Sequence, residues 1–353
     1  MPRQRINYIL QLITLLSHAN RSQDVIAYAR LLDEWDESQL IQYSDHLDSF
    51  YCHLGWSCLV VGNYRNSIEH SKRYLKIAKE NNEISGIYNA KFNILHGLNG
   101  LGDYNRILKK VASIPRDQLT PAQNYELCFI LSRAYLGLGN YQEALSQIDS
   151  MQQCSGFISG ELPIPDYVVS VDLSRALRLS RRPAEAAKQA TKGLETARGA
   201  QQEVFPDLGH AYQEMGIVLY ELGQLEDADK HFQQAITIHL KCLGEESPLL
   251  GTALYQHGLV LCALKQVDEG IKACEQGAIV LEKALGKDHP EVARSHHALG
   301  VVYKAAGKVE KAQEHLRMAC EIALKHPCMG KDHPETRRFV QELGAVNVVQ
   351  QLI

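Results

Sequence analysis

The sequence predicts an all-α protein, a right-handed superhelical solenoid of about eight helical hairpins closed by a C-terminal capping helix. Three observations predict it. The chain has 353 residues and no linker, longer than one compact core usually grows, which suits units that each pack only on their neighbours. Small and large apolar residues recur in register near the C-terminus, with Gly216, Gly258 and Gly300 at two steps of 42. The junctions CLGEESP, ALGKDHP and MGKDHP each combine a helix stop with a helix start.

The register runs through both helices of each unit. In the second helix Ala228, Gly270 and Ala312 keep the same spacing, as do Phe232, Cys274 and Leu316, and Ala235, Gly277 and Ala319. A glycine in the first helix lets its partner helix approach closely, where a larger residue would push the two apart. At the junctions, Gly286 is expected to end one helix while Asp288 caps the next and Glu291 completes a capping box, with Asp332 and Glu335 repeating the device.

The stretches AYQEMGIVLYELGQLEDADKHFQQAI, ALYQHGLVLCALKQVDEGIKACEQGA and SHHALGVVYKAAGKVEKAQEHLRMAC resemble the tetratricopeptide repeat. The usual period is 34 residues; eight more at about 1.5 Å each lengthen the helices by roughly 12 Å per unit. A 42-residue unit with an LGKDHP-like junction is similar to kinesin light chain repeats, and residues 209 to 336 carry that resemblance. Where those families often place a groove asparagine, this chain has Glu214, Gln256 and Ala298, so their cargo residues do not transfer.

In chain order, YILQLITLLSHANRSQDVIAYARLL matches the template least. FYCHLGWSCLVVGNYRNSIEHSKRYL fits through Leu54, Gly55, Gly62 and Tyr64, whereas NAKFNILHGLNGLGDYNRILKKV keeps Gly102 and Tyr104 but little else. CFILSRAYLGLGNYQEALSQI fits through Tyr135, Gly139, Tyr141 and Ala144. SVDLSRALRLSRRPAEAAKQATKGL puts Ser174 in the glycine slot and Ala186 in the alanine slot. The chain therefore reads as one solenoid, with divergent repeats over 6–165, regular ones over 166–332 and a capping helix over 333–353 carrying Phe339, Leu343, Val346 and Val349. Gln152 to Pro165, rich in glycine and proline, is a variable connection or a binding loop.

Composition excludes several classes. With 45% hydrophobic and 22% charged residues the chain is ordered, and a net charge of −4 gives no reason to expect nucleic acid. The basic start before an apolar stretch is not a secretory signal, because Asn7, Gln11 and Thr14 interrupt it and no small-residue cleavage site follows. No segment has the roughly 18 apolar residues of a membrane span, and nine scattered cysteines suit a reducing compartment, so a cytoplasmic protein is expected.

No cofactor, metal or catalytic site is expected. Cys52, His53 and Cys58, and His326, Cys328 and His333, cluster without the spacing of a zinc site. No Gly-x-Ser-x-Gly elbow or phosphate loop occurs, and the histidines and cysteines fall at repeat positions where packing explains them.

What remains is the inner face formed by the first helices. Its expected lining is Asn89, Phe92, Asn93, His96 and Asn99 in the third unit, Arg133, Arg175 and Arg178 in the fourth and fifth, then Gln213, Tyr220, Tyr255 and Arg294. Amides bond an extended backbone without reading its sequence, and arginines pair with carboxylates, which together suit an acidic linear motif of a protein partner. Alternatively this is only a solvated face, with Asp172 neutralising Arg175 along its own helix. The chain thus reads as a non-catalytic scaffold or adaptor that binds a peptide or helix in its groove. The competing reading is a regulatory sensor whose solenoid changes shape on binding an effector and so controls an associated enzyme.

Overall fold

The computed structural model describes residues 2–19, 21–32, 39–40, 46–158, 162–200 and 205–352, and these contain helices and no strand. They form two compact units, Met1–Leu101 and Gly102–Ile353. Unit 1 holds α1 (Pro2–His18), α2 (Ser22–Ala29), α3 (Leu47–Val60), α4 (Tyr64–Glu80) and α5 (Ile84–Gly100). Ile6, Ile13, Val25, Leu54, Tyr51 and Ala90 are among the residues of a core cluster in this unit.

Unit 2 opens with the short α6 (Tyr104–Val111), followed by hairpins of a first and a second helix. These are α7 (Pro121–Gly137) with α8 (Tyr141–Ser155), and α9 (Asp166–Leu179) with α10 (Pro183–Gly199). Next come α11 (Pro206–Glu221) with α12 (Leu225–Leu243), α13 (Pro248–Ala263) with α14 (Val267–Leu285), and α15 (Pro290–Ala305) with α16 (Val309–Lys325). The last helix, α17 (Pro334–Leu352), packs on α16 and buries Phe339 and Val346. Val349 of the expected capping face lies outside the residues whose side chains are described.

The repeated glycines act as the spacing predicts. A Cβ on Gly216 would meet the Phe232 ring at 2.9 Å, one on Gly258 the Cys274 sulfur at 2.4 Å, and one on Gly300 the Leu316 side chain at 2.5 Å. The glycine slot and the large apolar slot of each unit are thus two sides of one contact. In α13 and α14 the approach is closest, because Gly270 and Gly277 stand where their neighbours carry a side chain, and both face carbonyls of α13.

The helix starts differ from the expected capping boxes. Gly286 does end α14, at φ 90°. The cap of α15, however, is His289, whose Nδ1 accepts the Glu291 amide at 3.0 Å, and His333 Nδ1 accepts the Glu335 amide at 3.2 Å. Imidazole nitrogen replaces the aspartate oxygen as the acceptor for an orphan amide, with proline at the first helical position. Glu291 and Glu335 are thereby released to point elsewhere. A true capping box occurs at α7, between Thr120 and Gln123.

First helices of unit 2 touch the next first helix: α7 meets α9, α9 meets α11, α11 meets α13 and α13 meets α15. Successive second helices have no comparable contact. The first helices therefore form the inner side of the curve. The curvature brings the start of unit 2 onto its end: a Cβ on Gly102 would lie 3.2 Å from Pro290 Cδ, and one on Gly139 would lie 2.6 Å from Pro334 Cδ. Asn105 Nδ2 also donates to the Pro327 carbonyl at 3.1 Å. Two His-Pro-Glu helix starts thus rest against two left-handed glycine turns, at φ 69° and 74°.

Candidate functional site

The inner side chains of unit 2 form a chain of bonds from each first helix to the next. Arg133 of α7 donates to Asp172 of α9 at 2.6 and 3.4 Å. Arg178 of α9 donates to Glu214 and Glu221 of α11 at 3.2 and 2.9 Å, and Ser174 adds a bond to Glu214 at 3.2 Å. Gln213 of α11 donates to Gln256 of α13 at 2.8 Å, and the buried His239 ring lies 3.3 Å behind Gln213. Tyr255 of α13 donates to Glu291 of α15 at 3.2 Å. Arg294 of α15 closes on Glu335 of α17 through two nitrogens, at 3.0 and 2.6 Å, and on Glu291 at 2.5 Å.

The expected lining residues therefore divide. Arg133, Arg178, Gln213, Tyr255 and Arg294 spend their donors on stitching helices together. Asp172, expected as the intrahelical partner of Arg175, is committed to Arg133 on another helix. Arg175 has no hydrogen bond or ion pair among the described residues, and Tyr220 is half-buried against the cluster of Leu219, Ala228, Phe232 and Val260.

In unit 1, Phe92 is not a lining residue: it is fully buried and packs near Tyr88, because the α5 face that carries it is turned into the core. Asn93 and His96 are also buried, His96 edge-on to Trp56, whereas Asn89 is exposed and Asn99 half-buried. The Gln152 to Pro165 connection carries an exposed Phe157, and residues 159–161 lie outside the described set.

Electrostatics follow this geometry. Burial pushes the Glu335 carboxyl up, but Arg294 outweighs it and holds the group at about 2. Glu291 is also held low, by Arg294 and Arg175 against burial. Glu214 goes the other way, because its burial outweighs Arg178 and Arg175. Burial lowers His210 to about 4, helped by the Arg133 and Arg175 charges, and His239 to about 3. The Arg175 charge also acts on Tyr104 and Tyr141, the tyrosines that follow the two contact turns, although burial raises both phenols overall. Two of these signals were invisible in sequence: Tyr104 and Tyr141 read only as turn positions, and their meeting with α15 and α17 spans about half the chain.

Buried or half-buried thiols are poor nucleophiles here. Desolvation raises Cys58 to about 12 and moves Cys128, Cys274, Cys320 and Cys328 upward as well. Among the described residues no group of three His, Cys, Asp or Glu side chains could hold a metal ion. No described helix is long and apolar enough to cross a membrane.

Fold and inner face together define a helical-hairpin repeat protein whose first helices are joined by a polar seam. The sequence profile of the tetratricopeptide repeat matches residues 208–249 and 249–325. Residues 208–325 are thus tetratricopeptide repeats. Among curated proteins no sequence matches it. Among solved structures, NprR in complex with its cognate peptide NprX is similar at TM-score 0.59 and 10% identity, over 85% of this chain and 89% of that one. A Rap protein complexed with competence and sporulation factor is similar at TM-score 0.52 and 12% identity, over 98% of each chain. Repeats of a kinesin light chain from Podosopora anserina align over 58% of this chain and 97% of that one, at TM-score 0.42 and 22% identity. At these identities the likeness is one of fold.

Proposed function

We propose that the protein is a non-catalytic interaction scaffold whose unit 2 takes up a peptide or helical segment of a partner against the inner side of its first helices. Tetratricopeptide arrays present such concave surfaces, and function then lies in the side chains carried there. The observation that carries the reading is the uneven commitment of the inner polar groups. Most are tied into the seam, which joins the first helices, while Arg175, Tyr104 and Tyr141 have no hydrogen bond or ion pair among the described residues. Two structural neighbours, NprR and the Rap protein, were both solved with a peptide or factor bound. Upward-shifted thiols argue against cysteine chemistry, and a net charge of −4 argues against nucleic acid as the partner.

The test is site-specific photocrosslinking in cell extract. A benzoylphenylalanine at Tyr220, half-buried on the first helix α11, is compared with one at Lys272, exposed on α14. Partner segments should attach at position 220 and not at 272; the reverse pattern would end this reading.

A second reading, a regulatory subunit whose solenoid changes shape on binding, is favoured by the Gly102 and Gly139 contacts with Pro290 and Pro334. Opening such a light contact between distant repeats would give the solenoid a second arrangement that a ligand can bind unequally.

A further inference from the structure

Three helices of unit 2 meet on a chain of polar side chains that the inner seam does not include. His296 of α15 and His315 of α16 point their Nδ1 atoms at each other at 3.1 Å, with ring centroids 5.3 Å apart and planes 20° from parallel. The other nitrogen of His296, Nε2, lies 3.2 Å from Glu282 Oε1 of α14. A carboxylate only accepts, so His296 carries its proton on Nε2 and offers a lone pair at Nδ1. His315 must then donate from Nδ1, which leaves the lone pair on its own Nε2. Glu282 thus fixes both tautomers, and the bonds run from α16 through α15 to α14. The Tyr303 ring lies parallel to His315 at 5.4 Å, and its hydroxyl donates to Glu275 at 2.5 Å.

We propose that His296 and His315 form a proton-operated clasp, whose N–H···N bond joins α15 to α16 while the pair holds at most one added proton and breaks when it takes a second. The first proton goes to His315 Nε2, the one lone pair left over, and the Nδ1 bond survives as a charge-assisted one. The second has only His296 Nδ1 to occupy, where it would set two N–H groups and two imidazolium charges face to face. Around the pair stand Glu275 and Glu282 from α14, Tyr303 from α15, Lys311, Glu314, Glu321 and Lys325 from α16, and Lys287 and Asp288 from the junction before α15. Five carboxylates against three lysines favour a positive charge, but desolvation opposes it and holds both rings below 6.5, His296 being only 4% exposed. With both values depressed, the clasp is complete above about 6.5 and is lost as the pH falls through the lowered pair. α16 leads to α17, whose Pro334 rests on the Gly139 turn, so the clasp is placed to pass a change of pH to that closure.

The test is proton–nitrogen correlation NMR of the histidine side chains of the full-length protein, with amide exchange over residues 309–318. Above about pH 7, His315 should show the Nδ1–H tautomer, lost in His315→Asn, and a coupling across the hydrogen bond should link its Nδ1 to that of a ring protonated at Nε2. Averaged tautomers, or the same tautomer on both rings, would overturn the pair. Exchange over 309–318, corrected for its intrinsic pH dependence, should rise about tenfold or more between about pH 7 and about pH 4 in the wild type. His315→Asn places an amide donor that does not titrate near the Nδ1 position, and should stay protected at both values. His315→Phe keeps a ring beside Tyr303 but loses the bond, and should exchange fast at both. Wild type and His315→Asn rising together would mean that acid loosens the hairpin by another route, and would overturn the clasp. Should His315→Asn fail to protect at neutral pH, the tautomers and the coupling alone decide.

Discussion

At the scale of single residues, burial decides what the inner ion pairs are worth. Arg133 and Arg178 are 35% and 13% exposed, but their partners Asp172 and Glu214 are both buried, at 2% and 3%. Removing either arginine strands a buried carboxylate, at a cost of about 3 kcal/mol or more, whereas an exposed pair is worth about 1 kcal/mol or less. Arg133→Ala and Arg178→Ala should therefore both lower the midpoint of urea unfolding well beyond what an exposed pair allows; a loss of about 1 kcal/mol or less in either would contradict the assignment. The same residues set the acid limit. Unfolded histidine takes up its proton near 6.5, but in the fold burial keeps His210 neutral to about 4 and His239 to about 3. Both pKa values are depressed, so their contribution is complete above about 6.5 and is lost as the pH falls through 4 and 3. Glu335, held at about 2, adds stability that is lost below the ordinary carboxylate range, and Glu214, raised by burial, opposes this in part. The melting temperature should be level above pH 7 and fall steadily from about 6.5 downward, most of the histidine share vanishing in His239→Gln.

At the scale of elements, the helix hairpins are set by how closely two backbones can lie. A methyl on Gly258 would meet Cys274 Sγ at 2.4 Å and the Gly270 carbonyl at 2.6 Å, and neither backbone has room to withdraw. Gly258→Ala should cost about 2–3 kcal/mol through overpacking, whereas Gly344→Ala, with nothing within 4 Å, should be neutral or stabilising. Thermal unfolding of the two variants checks this, and a mild Gly258→Ala would mean that α13 and α14 can slide apart. This layer was legible in the sequence, because a contact made within one hairpin leaves its mark at a fixed spacing: Gly216 with Phe232, Gly258 with Cys274, Gly300 with Leu316. The caps were half legible. Asp288 and Asp332 carry the residue type that usually caps, yet the adjacent histidines do the work, since proline after His289 and His333 sets the first helical residue one position later. Phe92 misled for a related reason: a position that faces the groove in a regular repeat turns into the core where the unit is divergent.

At the scale of unit 2, what the sequence could not announce is contact between repeats far apart. Gly102 and Gly139 read as hairpin turns and nothing more, since no local spacing records that α15 and α17 begin beside them. The consequence can be isolated, because a second glycine supplies the control. Gly139 and Gly223 both hold left-handed turns, at φ 74° and 77°, so alanine strains each backbone by about 1 kcal/mol. Only Gly139 has a neighbour: its Cβ would lie 2.6 Å from Pro334 Cδ, while a Cβ on Gly223 would meet nothing within 4 Å. Both variants should lose similar global stability, but Gly139→Ala alone should open the contact and raise amide exchange over residues 328–336. Replacing Pro334 by alanine in the Gly139→Ala background removes the colliding atom and should restore much of the protection, a coupling that independent sites do not show. Equal exchange in Gly139→Ala and Gly223→Ala would mean that the turn merely lies near Pro334 and holds nothing closed, and the shape-changing regulatory reading would lose its support.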